Sequence, residues 1–319
     1  MSRVLVTGGT GFIGRAIVEK CLRDGDTVRI LDNNSRGAIQ KLAHLSGKVD
    51  FIEGDIRDLK VVNRATKDID RVIHLAYING TEYFYSRPYD VLDVGIRGIL
   101  NVLDSHKVNQ FSELIVASTS ETYQNAAIIP TPEEVPLVIP DVLNPRYSYG
   151  GGKIATELLS INYARQVDLS VKIFRPHNIY GPDMGFEHVI PQLIKKIHNA
   201  HTLNSKKCSI EIQGNGSETR SFCYISDFIN GFEKVVEDNT DLSVYHLGVT
   251  EEVSILQLID KIAKIMEVNV EVNAGELLKG SPVRRSPDIS KIRRLGFMQE
   301  FSLEKGLEPT IQWYLANQK

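Results

Sequence analysis

One segment constrains this chain more than any other. Residues 7–14 read Thr-Gly-Gly-Thr-Gly-Phe-Ile-Gly, set between an apolar run and a helical repeat. Glycines at 9, 11 and 14 satisfy GxGxxG, and those at 8, 11 and 14 also satisfy GxxGxxG. Glycines so spaced permit a tight turn, close backbone approach to a pyrophosphate, and close helix–strand packing. The helix that follows presents free N–H groups to a diphosphate. Alone such a run is weak; between a strand and a helix it predicts a dinucleotide-binding βαβ unit.

The rest of the first half agrees. Short runs rich in Val, Ile and Leu at 3–7, 27–31, 49–53, 71–75, 113–118 and 171–175 suit strands of a parallel sheet buried on both faces. Helical patterns lie between them: Ile13, Ile17 and Cys21 recur at i, i+4 and i+8, and 91–107 is another candidate. Strand–helix alternation of this kind predicts an α/β fold, a Rossmann-type doubly wound parallel sheet. Segment 128–146 holds five prolines and reads as a loop over the sheet's carboxyl edge. Beyond Pro176 the alternation becomes irregular, which predicts an NAD-binding domain at 1–176 and a smaller α/β substrate lobe at 177–319, interleaved with it.

Composition narrows the function classes. A net charge of −3 gives no global basic field for nucleic acid or an anionic membrane. Cys21, Cys208 and Cys223 show neither CxxC nor Cys/His spacing, so they read as reduced thiols, with no metal site. No signal-peptide pattern precedes the first strand, and no apolar run nears the ~18 residues of a membrane span. A cytoplasmic protein is expected.

Two further features carry chemistry. The second strand ends in Leu31-Asp32, where an acidic side chain accepts hydrogen bonds from an adenosine ribose and repels a 2′-phosphate. That favours NAD over NADP, although Arg36 stands close enough to serve a phosphate. Asp55 and Ile56, after the third strand, are candidates for an adenine contact or a plain loop. Tyr149 and Lys153 then open a helical pattern at 149–164, four residues apart and hence one turn apart on one face. A phenol of pKa about 10 acts as a base near neutrality only if lowered about three units, or ~4 kcal/mol. An ammonium ~4 Å away at an effective dielectric of ~20 contributes about that much. A hydroxyl cluster, Ser118-Thr119-Ser120, ends the fifth strand at the edge where open α/β sheets bind ligands.

With these residues assembled, the sequence resembles the extended short-chain dehydrogenase/reductases, the NAD-dependent epimerase/dehydratase family acting on nucleotide sugars. The resemblance covers nearly the whole chain: TGGTGFIG at 7–14, Asp32, GDI at 54–56, VIHLA at 72–76, STSETY at 118–123, Tyr149/Lys153, RPHNIYGP at 175–182, Arg220 before FCYISDF, and RRSPDISK at 284–291. It implies NAD held by Gly8, Gly11, Phe12, Ile13, Gly14, Asp32, Asp55, Ile56, Leu75 and Lys153. It implies that Thr119 hydrogen-bonds the sugar C4 hydroxyl and that Tyr149 removes its proton while the C4 hydride leaves. Lys153 then holds Tyr149 and the ribose. Ser120, Asn178, Arg220 and Arg285 resemble substrate contacts; arginines suit a diphosphate because they contact phosphate bidentately. Relatives commonly form homodimers through helices equivalent to 91–107 and 149–164.

Two departures stand out. The family often has Asn in the fourth-helix NxxGT pattern, where this chain has Gly95 in GIRGI, and the usual small residue after HLA is Tyr77. An aromatic run, Tyr83-Phe84-Tyr85, follows.

Oxidation at C4 opens several outcomes. Glu121 resembles the base that removes the C5 proton in dehydratases, but the acid that precedes it there is replaced by Ser120, and a serine hydroxyl is a very poor acid. C4 epimerisation or simple C4 dehydrogenation of a UDP- or GDP-linked hexose or heptose, in bacterial-type surface-polysaccharide sugar biosynthesis, ranks first. UDP-glucuronate decarboxylation, which also shows the STSE order, and 4,6-dehydration follow. A non-catalytic NAD-sensing regulator is the alternative of another class, and the Tyr149/Lys153 pair argues against it.

Overall fold

A computed structural model describes residues 1–203, 208–276, 280 and 282–317. The first half alternates as β1 (Arg3–Thr7), α1 (Phe12–Arg23), β2 (Thr27–Asp32), β3 (Val49–Glu53), α2 (Leu59–Ala65), β4 (Arg71–His74), α3 (Thr81–Ser86), α4 (Pro88–Asn109), β5 (Glu113–Ala117), α5 (Tyr147–Ala164) and β6 (Ser170–Pro176). The second half adds β7 (Ile179–Tyr180), α6 (Val189–Leu203), β8 (Cys208–Ile212), β9 (Thr219–Ser221), β10 (Cys223–Tyr224), α7 (Ile225–Glu237), β11 (Leu242–Leu247), β12 (Glu252–Ser254), α8 (Ile255–Ile265), β13 (Val270–Ala274), β14 (Arg284–Arg285), α9 (Ser290–Arg294) and α10 (Leu303–Ala316). Each of the six strands read from sequence is present, within one residue at either end. Helix α4 runs longer than the pattern 91–107. Pro88 opens it, where a missing N–H costs nothing, and Gln110 closes it in a left-handed conformation at φ 48°.

One seven-stranded sheet has the order β11-β6-β5-β4-β1-β2-β3. Pairings β1·β2, β1·β4, β2·β3, β4·β5 and β5·β6 are all parallel. The sheet is Rossmann-type. Its middle strands are sealed on both faces: Val4, Leu5, Val6, Val72, Ile73, Leu114, Ile115 and Val116 are fully buried. That explains continuous apolar runs where an exposed face would demand alternation. Strand order reverses on either side of β1, so the carboxyl ends of β1 and β4 splay apart into the crevice where such sheets bind ligands.

The chain divides into two compact units. One comprises Met1–Gln124, Pro136–Pro176 and Phe232–Tyr245; the other comprises Asn125–Val135, His177–Gly231 and His246–Lys319. The second unit contains a three-stranded sheet, β12-β9-β14, and a parallel β13·β8 pair. Its helix α8 starts at a reciprocal capping box between Ser254 and Gln257. Among the described residues no helix is long and apolar enough to cross a membrane.

Candidate active site

The turn after β1 is built around missing side chains. Gly8 adopts φ +73°, and a Cβ there would lie 2.9 Å from the backbone nitrogen of Ala76. A Cβ on Gly14 would lie 2.2 Å from the Gly8 carbonyl oxygen. The turn therefore packs against both its own helix and the end of β4. Leu75 sits at that end, where its N–H donates to the Thr7 carbonyl at 3.1 Å. Helix α1 begins at Gly11 with no side-chain cap, which leaves the N–H groups of Phe12 and Ile13 for an anion. The Thr10 hydroxyl is buried without a partner. Asp32 faces this turn, accepting from the Thr10 N–H at 3.0 Å and the Asn34 N–H at 2.8 Å, one to each oxygen. These features fit a dinucleotide. Asp32 thus shapes the glycine turn, a task that the sequence did not show.

Asp55 is engaged by Arg57 in an ion pair of 2.7 Å, and this guanidinium holds its carboxyl below the usual carboxylate range. Ile56 is buried in the core, and its carbonyl accepts from Asn101 at 2.9 Å. The Arg36 guanidinium lies 5.3 Å from the centre of the Tyr83 ring, with Arg87 5.0 Å from the same ring.

The catalytic candidates converge at the carboxyl end of β5. Thr119 caps a short 3₁₀ turn, Ser120–Thr122, its hydroxyl accepting from the Glu121 N–H at 3.2 Å. The Tyr149 hydroxyl hydrogen-bonds with Thr119. The Tyr149 ring stacks on Phe84 at 4.8 Å and meets Tyr77 edge-on at 5.3 Å. Ser120 is buried beside them, and Glu121 keeps partial exposure, 3.6 Å from the Arg146 guanidinium.

Lys153 is engaged by groups that the sequence did not point to. Its ammonium was expected beside the Tyr149 phenol, but Nζ donates to the Ala117 carbonyl at 2.6 Å and lies 4.1 Å from the centre of the Tyr77 ring. The Tyr149 ring centre is 5.9 Å away. Two better-placed electron-rich groups have taken the cation. Burial pulls the Lys153 ammonium down to about 7 and pushes the Tyr149 phenol above its ordinary value. His74, at the end of β4, is also buried; its Nδ1 pairs with the Thr7 hydroxyl at 2.9 Å, and burial lowers its pKa to about 3.

Sequence reasoning missed the network beneath this edge. Arg175 of β6 donates to Glu157 of α5 through Nε at 2.9 Å and Nη2 at 2.6 Å. Ser118 donates to the same carboxylate, and Arg175 also donates to the Tyr123 hydroxyl. The signal was present: Glu157 follows Lys153 at i+4, on the buried face, and Arg175 follows the apolar Ile173-Phe174 near the end of β6.

Asn178, Arg220 and Arg285 all belong to the second unit. Asn178, at φ 44°, donates to the Ser221 carbonyl at 2.9 Å. Arg220 donates to the carbonyls of Thr219 at 2.7 Å, Pro282 at 2.6 Å and Val283 at 3.3 Å. Arg220 and Arg285 are register neighbours across β9·β14, which brings two guanidinium-bearing positions together, with Arg285 buried. Much of the Asn178 and Arg220 bonding capacity thus holds backbone. Among the described residues, no group of three or more His, Cys, Asp or Glu side chains is placed to hold a metal ion. The three cysteines are free and buried, and burial pushes the Cys21 thiol up to about 12.

The sequence pattern of the NAD dependent epimerase/dehydratase family matches residues 4–248. The chain belongs to this family. Its members work with NAD, and this chain is an enzyme of that kind. It is 30% identical to UDP-glucuronic acid decarboxylase 1 of Xenopus tropicalis, over 98% of this chain and 72% of that one. It is 29% identical to the UDP-N-acetyl-alpha-D-glucosaminuronate decarboxylase of Bacillus cytotoxicus, over 98% and 97%. The solved UDP-glucose 4-epimerase of Thermotoga maritima, holding UDP-glucose, superposes with a TM-score of 0.87 at 27% identity, covering 98% and 99%.

Proposed function

We propose that this enzyme decarboxylates a uronic acid carried on a nucleoside diphosphate, UDP-glucuronic acid or a close analogue, after oxidising C4. Similarity along nearly the full chain to decarboxylases of UDP-linked uronic acids supports the reading. The observation that carries it is local: at the carboxyl end of β5 the side chain before Glu121 is Ser120, buried and without a proton donor's acidity. Loss of water from C6 needs an acid at that point. Loss of carbon dioxide needs none, because the group leaves neutral. Ser120 thus sets decarboxylation ahead of dehydration, and the similarity to the uronic acid decarboxylases moves it ahead of the C4 epimerisation that the sequence alone placed first.

The steps assign a task to each side chain. Tyr149 takes the proton of the C4 hydroxyl while Thr119 hydrogen-bonds the same oxygen. Bound NAD supplies the hydride acceptor at C4. The resulting C4 ketone is β to the C6 carboxylate, so the C5–C6 bond breaks and its electron pair moves to the C4 oxygen. There the Tyr149 and Thr119 hydroxyls donate to the growing negative charge, as in an oxyanion hole. Glu121, 3.6 Å from Arg146, is the proposed group for the proton that returns to C5, and return of the hydride to C4, with the Tyr149 proton to its oxygen, then leaves the pentose. Arg220 and Arg285 are the proposed diphosphate contacts, and Ser120 and Asn178 the proposed sugar contacts.

The test is turnover of UDP-glucuronic acid labelled with carbon-13 at C6, in the presence of NAD. Labelled carbon dioxide and a pentose nucleotide are expected. Tyr149→Phe should cut the rate by at least ~100-fold, and Glu121→Gln by an intermediate factor of roughly 10–100. A second reading, C4 epimerisation, rests on the likeness to the Thermotoga epimerase. A product of unchanged mass and inverted C4, with no carbon dioxide, would establish it and overturn the first.

A further inference from the structure

Tyr77 and Gly95, the two departures in the sequence, meet in space. The Tyr77 ring projects from the end of β4 into a slot between α4 and α5. A Cβ on Gly95 would stand 2.2 Å from the Tyr77 hydroxyl, and one on Gly152 would stand 2.1 Å from it. No larger residue at 95 or 152 leaves the ring where it is. The hydroxyl is buried there and finds no hydrogen-bond partner, so it is not what holds the ring in place. The face of the ring lies 4.1 Å from the Lys153 ammonium, and its edge rests against Tyr149.

We propose that Tyr77 is a positioning residue: its ring face holds the Lys153 side chain as an ammonium at the end of β5, and its edge fixes the Tyr149 ring against Phe84. The proposal rests on the reading of Tyr149 and Lys153 as the working pair. An aromatic face attracts a cation most strongly when water is excluded, as it is around this buried nitrogen. The other groups facing Lys153 are few. Strand β5 offers the Ala117 carbonyl, and β4 offers His74, which burial keeps neutral. Helix α5 offers Tyr149 and Glu157, whose carboxylate favours the ammonium while also paired with Arg175 of β6; α4 presents Gly95 and the apolar Val91 and Leu92. The Tyr77 face, with the Ala117 carbonyl and the Glu157 carboxylate, thus opposes the burial that disfavours the ammonium.

The test measures Lys153 directly, without substrate or cofactor. Its acetylation by acetic anhydride is followed across a pH series and read by peptide mass spectrometry. Tyr77→Leu, which keeps apolar bulk but removes the π face, should lower the Lys153 midpoint by about one pH unit. Tyr77→Phe should titrate as the unaltered protein does, because it keeps the face and removes only an unpartnered hydroxyl. Gly95→Ala should act as Tyr77→Leu does, since its methyl evicts the ring while leaving Tyr77, Lys153 and Tyr149 in the chain. The high-pH limb of kcat/KM should move down with the midpoint in Tyr77→Leu. An unchanged midpoint in Tyr77→Leu, or an equal shift in Tyr77→Phe, would overturn the proposal. Because the labelling needs no turnover, failure of the decarboxylase reading leaves this result standing.

Discussion

The buried pair beneath the site offers the most quantitative test. The side chains of Glu157 and Arg175 are 3% and 5% exposed, and two hydrogen bonds join them. Glu157→Gln keeps the volume but strips the charge, so it leaves a guanidinium buried against an amide. Breaking one side of a buried pair costs about 3–5 kcal/mol, since the survivor's desolvation is no longer offset. At about 2–4 °C per kcal/mol for a chain of this size, the melting temperature should fall by roughly 6–20 °C. Arg175→Met should cost a similar amount. The double variant Glu157→Leu/Arg175→Met removes both charges and should recover most of the loss. Urea unfolding of the unaltered protein, Glu157→Leu, Arg175→Met and the double variant closes the cycle and gives the coupling energy, expected at about 2 kcal/mol or more. Additive losses, or a Glu157→Gln cost below about 1 kcal/mol, would refute the claim that this pair anchors the ends of β5 and β6.

Three further outcomes follow from other parts of the molecule. Calorimetry should show NAD binding at least about tenfold tighter than NADP, a like-charge penalty above ~1.4 kcal/mol at Asp32; Asp32→Ala should narrow the gap and also weaken NAD, since Asp32 shapes the turn. His74 carries a pH signature. Its folded pKa of about 3 lies below the unfolded ~6.5, so its neutral form contributes stability that is complete above about pH 6.5 and is lost as pH falls toward 3. His74→Asn should reduce that acid-side slope by about 1.4 kcal/mol per pH unit, and an unaltered slope would show that His74 charges freely in the fold. We also propose a homodimer through α4 and α5. Leu158 and Leu100 stand partly exposed beside a groove of about 410 Å³ between these helices, so Leu158→Glu should halve the mass seen by light scattering. A monomeric unaltered protein at micromolar concentration would end that idea.

What the sequence revealed and what it concealed divide along a physical line. The strands were legible because burial on both faces leaves no polar residue in Val4-Leu5-Val6 or Leu114-Ile115-Val116, and the glycine turn because its spacing is a backbone requirement. Tyr149 and Lys153 were legible because one helix fixes their separation. The Glu157–Arg175 pair was not, because its partners come from a helix and a strand whose facing depends on the sheet. Tyr77 was visible as an oddity, yet its role needs three segments at once, at 77, 95 and 152, and no periodicity connects them. The destination of Lys153 was hidden for the same reason. Spacing placed it near Tyr149, while the Ala117 carbonyl and the Tyr77 face, both remote in sequence, decide where the nitrogen settles.

Burial raises the Tyr149 phenol and lowers the Lys153 ammonium, so the dry interior favours the neutral form of each. The working form, phenolate beside ammonium, carries the same net charge as phenol beside neutral amine. One proton moved within the pair interconverts them, with no further charge brought into the dry interior. Both Lys153 neighbours favour the ammonium side of that exchange: a carbonyl accepts from it, and a π face attracts it. Thr119 completes the arrangement, since a hydroxyl bound to the Tyr149 oxygen can donate to a phenolate or accept from a phenol. The geometry therefore holds a base ready without burying an isolated anion, and the Ser120–Glu121 edge beside it bears on what becomes of C5 once C4 is oxidised.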